Sequence, residues 1–407
     1  MPGALDDIVV IELTTELWSR LAGALLGDFG ARVVRIDDPG CDPSPVGIYE
    51  PRTPATWRAL ADLADRNKRS VAVHLGTVDG CALAARLVRK ADVVLTDWPV
   101  DRLVTAGLDA DARRGADPRL VYARGSGFGP KGVDRVRPPI DELAAARAGM
   151  VPLLAQPGQP PLFPGHGMMY TAVMLAVGVL LALRHRSVAG EGQVVDASLL
   201  AGNVYAASLD LQAFLAMGGE RFLRPVDRLD AGNPMSGVMY RSADDRWITM
   251  TMPDTDTYWP SLASVTGLDA ADPRFDTHER RCGAHRLELI AALEEAIGTR
   301  PAVHWRTTFE EHGLSADVVE TYDYPVADPV ARRNRYLLDL PPGPDAPHGA
   351  DGARSMVGFP VHLEATPADL RRPAPAPGEH TAEVLAELLG MGDDEIATIT
   401  GAPAPAR

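Results

Sequence analysis

Three cysteines, Cys41, Cys81 and Cys282, stand in 407 residues. They are far apart, odd in number and form no CxxC pair, which argues against a disulfide framework and a thiolate zinc site. Positive charge is also short: 40 Lys and Arg face 55 Asp and Glu, for a net charge of −15. Nucleic acid and anionic membrane surfaces both need a basic footprint, so neither is an expected partner. Local basic pockets for an anionic ligand remain compatible with this balance. The opening MPGALDDIVVIEL has no basic n-region and no apolar h-region, so it does not read as a signal peptide, and a cytoplasmic location is expected. There is no G-x-G-x-x-G, P-loop, H-E-x-x-H or G-x-S-x-G, and no metal site is expected.

What is present is ordinary globular composition, 46% hydrophobic and 23% charged, with length enough for two cores. In the first third, apolar runs at 8–13, 31–37, 91–98 and 120–128 alternate with helical periodicity at 17–29 and 80–90. Strands apolar on both faces and separated by helices imply a parallel sheet covered on both sides, an α/β fold. Ligands of such sheets sit at the carboxyl ends of the strands. The run at 167–183 is apolar over roughly 17 residues, the short edge of a membrane span. It stands alone and contains Gly178 at its middle, so a helix buried on all sides is expected.

A second strand and helix follow at 194–217. From about residue 225 the texture becomes that of a smaller α+β domain. GVMYRSADDRWITMTM (237–252) reads as a hairpin, and helices are expected near 284–297 and 301–312. Residues 341–378 are rich in Pro, Gly and Ala, and two short helices close the chain at 378–399. The domains read as 1–205, a linker helix over 206–224, a small domain over 225–330, and a linker with a C-terminal return over 331–407.

Several residues could carry chemistry. RNKRS (66–70) is a basic knot in an acidic chain; Arg69 could grip a phosphate as a fork and Lys68 as a point charge, or the stretch is a solvated loop. GSGFG (125–129) follows a strand and either offers backbone N–H groups to an anion or is a plain turn. Asp37 and Asp38 end the second strand like a ribose-binding acid, but without the glycine loop. His166 lies between two glycines ahead of the long apolar helix, as an acid or base near neutral pH or as a packing residue. Asp141 reads most simply as a helix cap.

These pieces, in order, resemble the family III CoA-transferases, the CaiB/BaiF family that also contains alpha-methylacyl-CoA racemase. LDDIVVIELT and GDFGARVVRID resemble the family's LDGIRVLDLT and LADLGAEVIKVE. DRNKRSVAVHL, KADVVLTDW, DPRLVYARGSGFGPKG and GVLLALRHRSVAGEGQVVDASLL follow colinearly, then DPRF at 272–275, DPVARRN at 328–334 and GEHTAEVLAELLG. The resemblance implies a large Rossmann-like domain built from both chain ends, a small domain between, and two subunits interlocked as a homodimer. It implies coenzyme A, carried as an acyl-CoA substrate, at the strand ends. Lys68, Arg69, Asp97, Trp98, Arg102 and the turn Ser126, Gly127, Phe128, Gly129 would face it.

The chain departs from the family at the chemistry. The family's transferases use an aspartate just before the apolar helix as covalent carrier. Counting back from Gly178 it falls at Gly167 or Met168, yet residues 161–174 contain no Asp or Glu. The racemases' GHD is PID here, so Ile140 replaces the histidine and Asp141 is kept. The turn LAGP is LWSR (17–20). Three readings follow. The first is CoA transfer between carboxylic acids with another acid in the covalent role, Asp141 being nearest. The second is a divergent acid/base enzyme, an isomerase or lyase of specialised metabolism, using His166 with Asp254 assisting. The third is an inactive subunit paired with an active paralogue.

Overall fold

The computed structural model describes residues 2–40, 54–154, 157–163, 165–219, 227–340 and 354–400. Cys41, the end of the expected linker helix (220–224), the start of the Pro-rich stretch (341–353) and the tail 401–407 lie outside the described residues.

The chain divides into two units. The first comprises Met1–Val151, Phe163–Gly218 and Pro329–Arg407; the second comprises Pro152–Leu162 and Gly219–Asp328. Residues 152–162, read from sequence as part of the large domain, group with the second unit.

The first unit runs β1 (Val9–Leu13), α1 (Leu17–Asp28), β2 (Arg32–Asp37), α2 (Pro54–Asp65), β3 (Lys68–Ala72), α3 (Val78–Val88), β4 (Val93–Thr96), α4 (Val100–Thr105), α5 (Ala110–Ala116) and β5 (Val121–Ser126). It continues with α6 (Asp141–Ala148), α7 (Gly167–Ala189), β6 (Val194–Ser198), α8 (Leu199–Ala206) and α9 (Ser208–Met217). The six strands form one parallel sheet in the order β3-β2-β1-β4-β5-β6. The order reverses between β1 and β4, and ligands of open α/β sheets bind in the crevice at that switch point.

Successive side chains of a strand point to opposite faces, so a strand covered on both sides must be apolar throughout. Val9, Ile11 and Leu13 of β1 enter one core with Val34, Ile36, Val94 and Tyr122. Ile8 and Val10 enter the other with Val33, Val93, Leu95, Val121 and Ala123. The first core is closed by α3 and by the C-terminal return, whose Val384, Leu385 and Ile396 pack into it. The second is closed by α1 and α7 through Trp18, Leu21, Leu26, Ala172, Leu175 and Val179. Each large apolar side chain so buried contributes about 2 kcal/mol.

The expectation that α7 is buried on all sides is corrected. Gly167, Thr171, Ala172, Leu175, Ala176, Val179 and Ala182 form its buried stripe. Gly178 lets it approach β6, since a Cβ there would lie 2.6 Å from Val195 Cγ1. The opposite side, Tyr170, Val173, Met174, Val177, Leu180 and Leu181, is apolar yet exposed, Leu181 at 64%. A helix apolar all round need not be covered all round within one chain.

The second unit pairs β7 (Ser236–Arg241), β8 (Trp247–Thr251) and β9 (Ala316–Val318) in an antiparallel sheet. It carries α10 (Thr255–Thr266), α11 (His278–Cys282), α12 (Arg286–Ile297), α13 (Ala302–Glu311) and α14 (Asp323–Ala327) around a core of Tyr240, Trp259, Leu293, Trp305 and Phe309. The chain then returns to the first unit through α15 (Pro329–Arg333), the strand pair β10 (Leu337–Leu340) and β11 (Arg354–Val357), α16 (Thr381–Leu389) and α17 (Asp393–Thr400).

Candidate active site

The crevice at the carboxyl ends of β1, β2 and β4 holds two adjoining cavities. One, of about 660 Å³, is lined by Asp38, His74, Thr77, Cys81, Trp98 and Arg102. The other, of about 330 Å³, is lined by Thr14, Thr15, Arg35, Asp37, Trp98 and Arg102. Trp98 follows β4 and is buried, while Arg102 sits one turn on in α4. The guanidinium lies 3.6 Å from the indole ring centroid and donates to Asp38 Oδ2 at 3.1 Å. A flat cation on an aromatic face, open to two cavities, offers stacking and charge to a nucleotide-like ligand.

Asp97, the residue before Trp98, turns the other way. Its carboxylate accepts the Thr15 N–H at 3.0 Å, the Glu16 N–H at 2.8 Å and the Thr15 hydroxyl at 3.1 Å. Burial pushes its carboxyl up to about 6 against these bonds. It satisfies N–H groups at the start of α1, where a dinucleotide fold would place pyrophosphate. Asp97 is therefore a structural cap, not a ligand contact. Asp37 is likewise taken up, by Arg35 at 2.8 Å and by the Ser70 hydroxyl.

RNKRS is neither a phosphate grip nor a solvated loop. Lys68 is fully buried, and its ammonium donates to Glu12 at 2.8 Å and to the Arg20 carbonyl at 2.7 Å, with Asp65 at 3.4 Å. Burial pulls the Lys68 ammonium below its ordinary range, opposed by Glu12 and Asp65. Arg66 forks onto Asp28 at 2.8–3.1 Å. Arg69 reaches Glu383 and Glu387 of α16 and lines a cavity at the amino ends of β2 and β3, away from the crevice. Asn67, in the left-handed region at φ 62°, accepts the Arg371 and Arg372 N–H groups. The motif pins the C-terminal return to the sheet.

Ser126 ends β5, and its hydroxyl accepts the Gly129 N–H at 3.1 Å. The Gly127 carbonyl accepts the Leu200 N–H at 3.0 Å, and a Cβ at 127 would lie 2.9 Å from the Pro138 carbonyl. Phe128 is buried beneath Arg147, 5.0 Å from its ring. The turn is closed on itself and lines neither cavity around Trp98.

At the mouth of α7, His166 is exposed and precedes the helix without a side-chain capping bond. Among the described residues no carboxylate orients its ring. Asp141 opens α6 but does not cap its own helix. Its Oδ1 accepts the Asn203 amide at 2.8 Å and its Oδ2 the Met168 N–H at 3.2 Å, so it caps α7 from outside. Burial raises its pKa, and Asn203 and Met168 oppose that. Gly167 has no room for a side chain: a Cβ would lie within 2.5 Å of Asn203 Cγ. Asp254, in the second unit, is exposed and accepts the Thr257 hydroxyl at 2.7 Å, which holds it below the usual carboxylate range.

Sequence reasoning missed Asn203 and Glu16. Asn203, on α8, carries no local signal. Glu16 stands beside the altered LWSR turn, which was the available clue. Among the described residues no group of three or more His, Cys, Asp or Glu side chains could hold a metal ion.

The fold and the sequence match known proteins. The model of CoA-transferase family III matches residues 5–381. A succinyl-CoA–D-citramalate CoA-transferase of Chloroflexus aurantiacus is 31% identical over 98% of this chain and 97% of its own. A cinnamoyl-CoA:phenyllactate CoA-transferase of Clostridium sporogenes is 27% identical over 96% and 94%. The crystal structure of a CaiB/BaiF family protein from Brucella suis shares the fold at a TM-score of 0.80, 24% identity, and coverage of 95% and 100%. The chain belongs to CoA-transferase family III.

Proposed function

We propose that the protein moves CoA from an acyl-CoA to a carboxylic acid, with altered chemistry at the mouth of α7. The nucleotide end of CoA rests in the crevice against Trp98 and Arg102, and the covalent carboxylate comes from outside α7. One observation carries the altered chemistry: the Asn203 amide fills the side-chain space of Gly167, while the carboxylate that reaches this helix end, Asp141, has both oxygens bonded. Asp141 thus orders the α7 entrance. The named relatives act on succinyl and cinnamoyl thioesters and on carboxylic acids, which supports this substrate class. An acid/base reaction at His166 lacks an orienting partner for the imidazole among the described residues.

The active form in this reading is a homodimer, supported by the exposed apolar side of α7 together with Tyr205, Leu209 and Leu215 of α8 and α9. The same face favours one second reading, a silent subunit that completes its site with an active paralogue. Calorimetric titration with CoA, succinyl-CoA and acetyl-CoA tests the lead. Micromolar binding, with CoA exchange by the homodimer, supports it. No binding at millimolar ligand overturns it, and binding without exchange until a paralogue is added supports the second reading.

A further inference from the structure

Glu16 is a carboxylate at the carboxyl end of the sheet that the described residues leave unbonded. It follows β1, heads α1 and lies at the switch point. Its peptide N–H is fixed by Asp97 at 2.8 Å, but its half-buried side chain makes no hydrogen bond or ion pair among the described residues. Other carboxylates toward the carboxyl side of the sheet are occupied: Asp97 by Thr15 and Glu16, Asp37 by Arg35, Asp38 by Arg102, Asp141 by Asn203 and Met168. Partial burial without a donor is costly for a carboxylate. Burial, then the Asp97 charge, push Glu16 up to about 7. Such a group is retained at a price in stability where chemistry needs it.

The helices bring this residue to the end of the sheet at which α7 begins. Arg186, near the end of α7, pairs at 3.0 Å with Asp92, which precedes β4. Helix α7 therefore ends at the amino side of the sheet and starts at the carboxyl side, as α1 does, and the two pack into one core.

We propose that Glu16 is the covalent carboxylate of the transfer, in place of a side chain on α7. The inference rests on the CoA-transfer reading above. A Glu16 oxygen adds to the thioester carbonyl and the C–S bond breaks, giving a mixed anhydride and CoA thiolate. The thiolate attacks the Glu16 carbonyl and the anhydride C–O bond breaks. The first acid leaves as its carboxylate, and Glu16 carries CoA as a thioester. The acceptor carboxylate runs both steps in reverse and frees Glu16. No net proton or electron is consumed.

The test uses the full chain with succinyl-CoA, acetyl-CoA and cinnamoyl-CoA, quenched in borohydride or hydroxylamine and mapped by peptide mass spectrometry. A modification at Glu16 is expected. Glu16→Gln should lose transfer by roughly a hundredfold or more and keep its acyl-CoA affinity, with partial return in Glu16→Asp. A tag on Asp141 or any other acid with Glu16 clean overturns the inference but leaves CoA transfer standing. So does full activity in Glu16→Gln. Bound thioesters with no tagged acid also overturn it. If calorimetry shows no thioester bound, the transfer reading itself fails.

Discussion

The Asp97 carboxylate receives the Glu16 N–H at 2.8 Å, so two acids stand back to back at the start of α1. One is bonded three ways and serves the fold. The other has a fixed backbone and a side chain with no bond among the described residues. Asp97→Asn keeps one acceptor and loses the charge, and should cost about 2 kcal/mol, read as a lower denaturation midpoint.

Glu16 makes stability depend on pH with a definite sign. Its folded pKa of about 7 lies above the ordinary 4.5, so the folded state binds more protons between those values. Its contribution is lost as pH rises from 4.5 through 7, and the penalty is complete above that. Glu16→Gln should therefore stabilise the protein at pH 8 by about 1 kcal/mol, discounted for partial solvent screening. The gain should vanish at pH 4. Urea titrations at the two pH values check it.

Lys68→Met strands Glu12 as a buried charge, while Asp65 keeps Arg20 and Arg35. A loss of about 3 kcal/mol or more is expected. Because Lys68 is fully buried at Glu12, CoA affinity of the folded variant should stay within roughly twofold of the parent, whereas a phosphate contact would lose about tenfold. Denaturation and calorimetry on the same preparation separate the two.

Arg102→Ala removes the cation from the Trp98 face and the donor to Asp38. Binding of CoA should weaken roughly tenfold. An unchanged dissociation constant would place the nucleotide elsewhere.

Restoring an acid at Gly167 should fail. Gly167→Asp drives a Cβ into the Asn203 amide and should cost about 2 kcal/mol, part of which Asn203→Ala recovers by opening the space. A single variant as stable as the parent would show that the amide moves aside freely.

Leu181 lies 64% exposed on the apolar side of α7. Leu181→Arg should raise the dimer dissociation constant by roughly tenfold or more and leave the fold intact. Sedimentation at several concentrations, with circular dichroism, reads both. A parent that sediments as a monomer would remove the homodimer from the proposal.

The strands of the large unit were legible because both faces are covered: VVIEL is apolar on both faces except for the buried Glu12, a pattern that fits a buried parallel sheet. The departure at Gly167 or Met168 was legible too, because the absence of Asp and Glu from residues 161–174 is visible without coordinates. The roles of charged residues were not. Lys68 and Arg69 looked like ligand contacts, since their partners Glu12 and Glu387 stand 56 and 318 positions away.

Sequence alone determined the sheet, through local periodicity and composition, the family, through the ordered resemblance of its motifs, and the absence of Asp and Glu from residues 161–174. Only the tertiary structure decided that Asp141 caps α7, that Asn203 fills the space of Gly167 and that, among the described residues, one side of α7 is left uncovered and Glu16 unbonded. Whether a charge is paired, buried or free depends on groups that the fold brings within about 3 Å, and sequence distance carries no record of that.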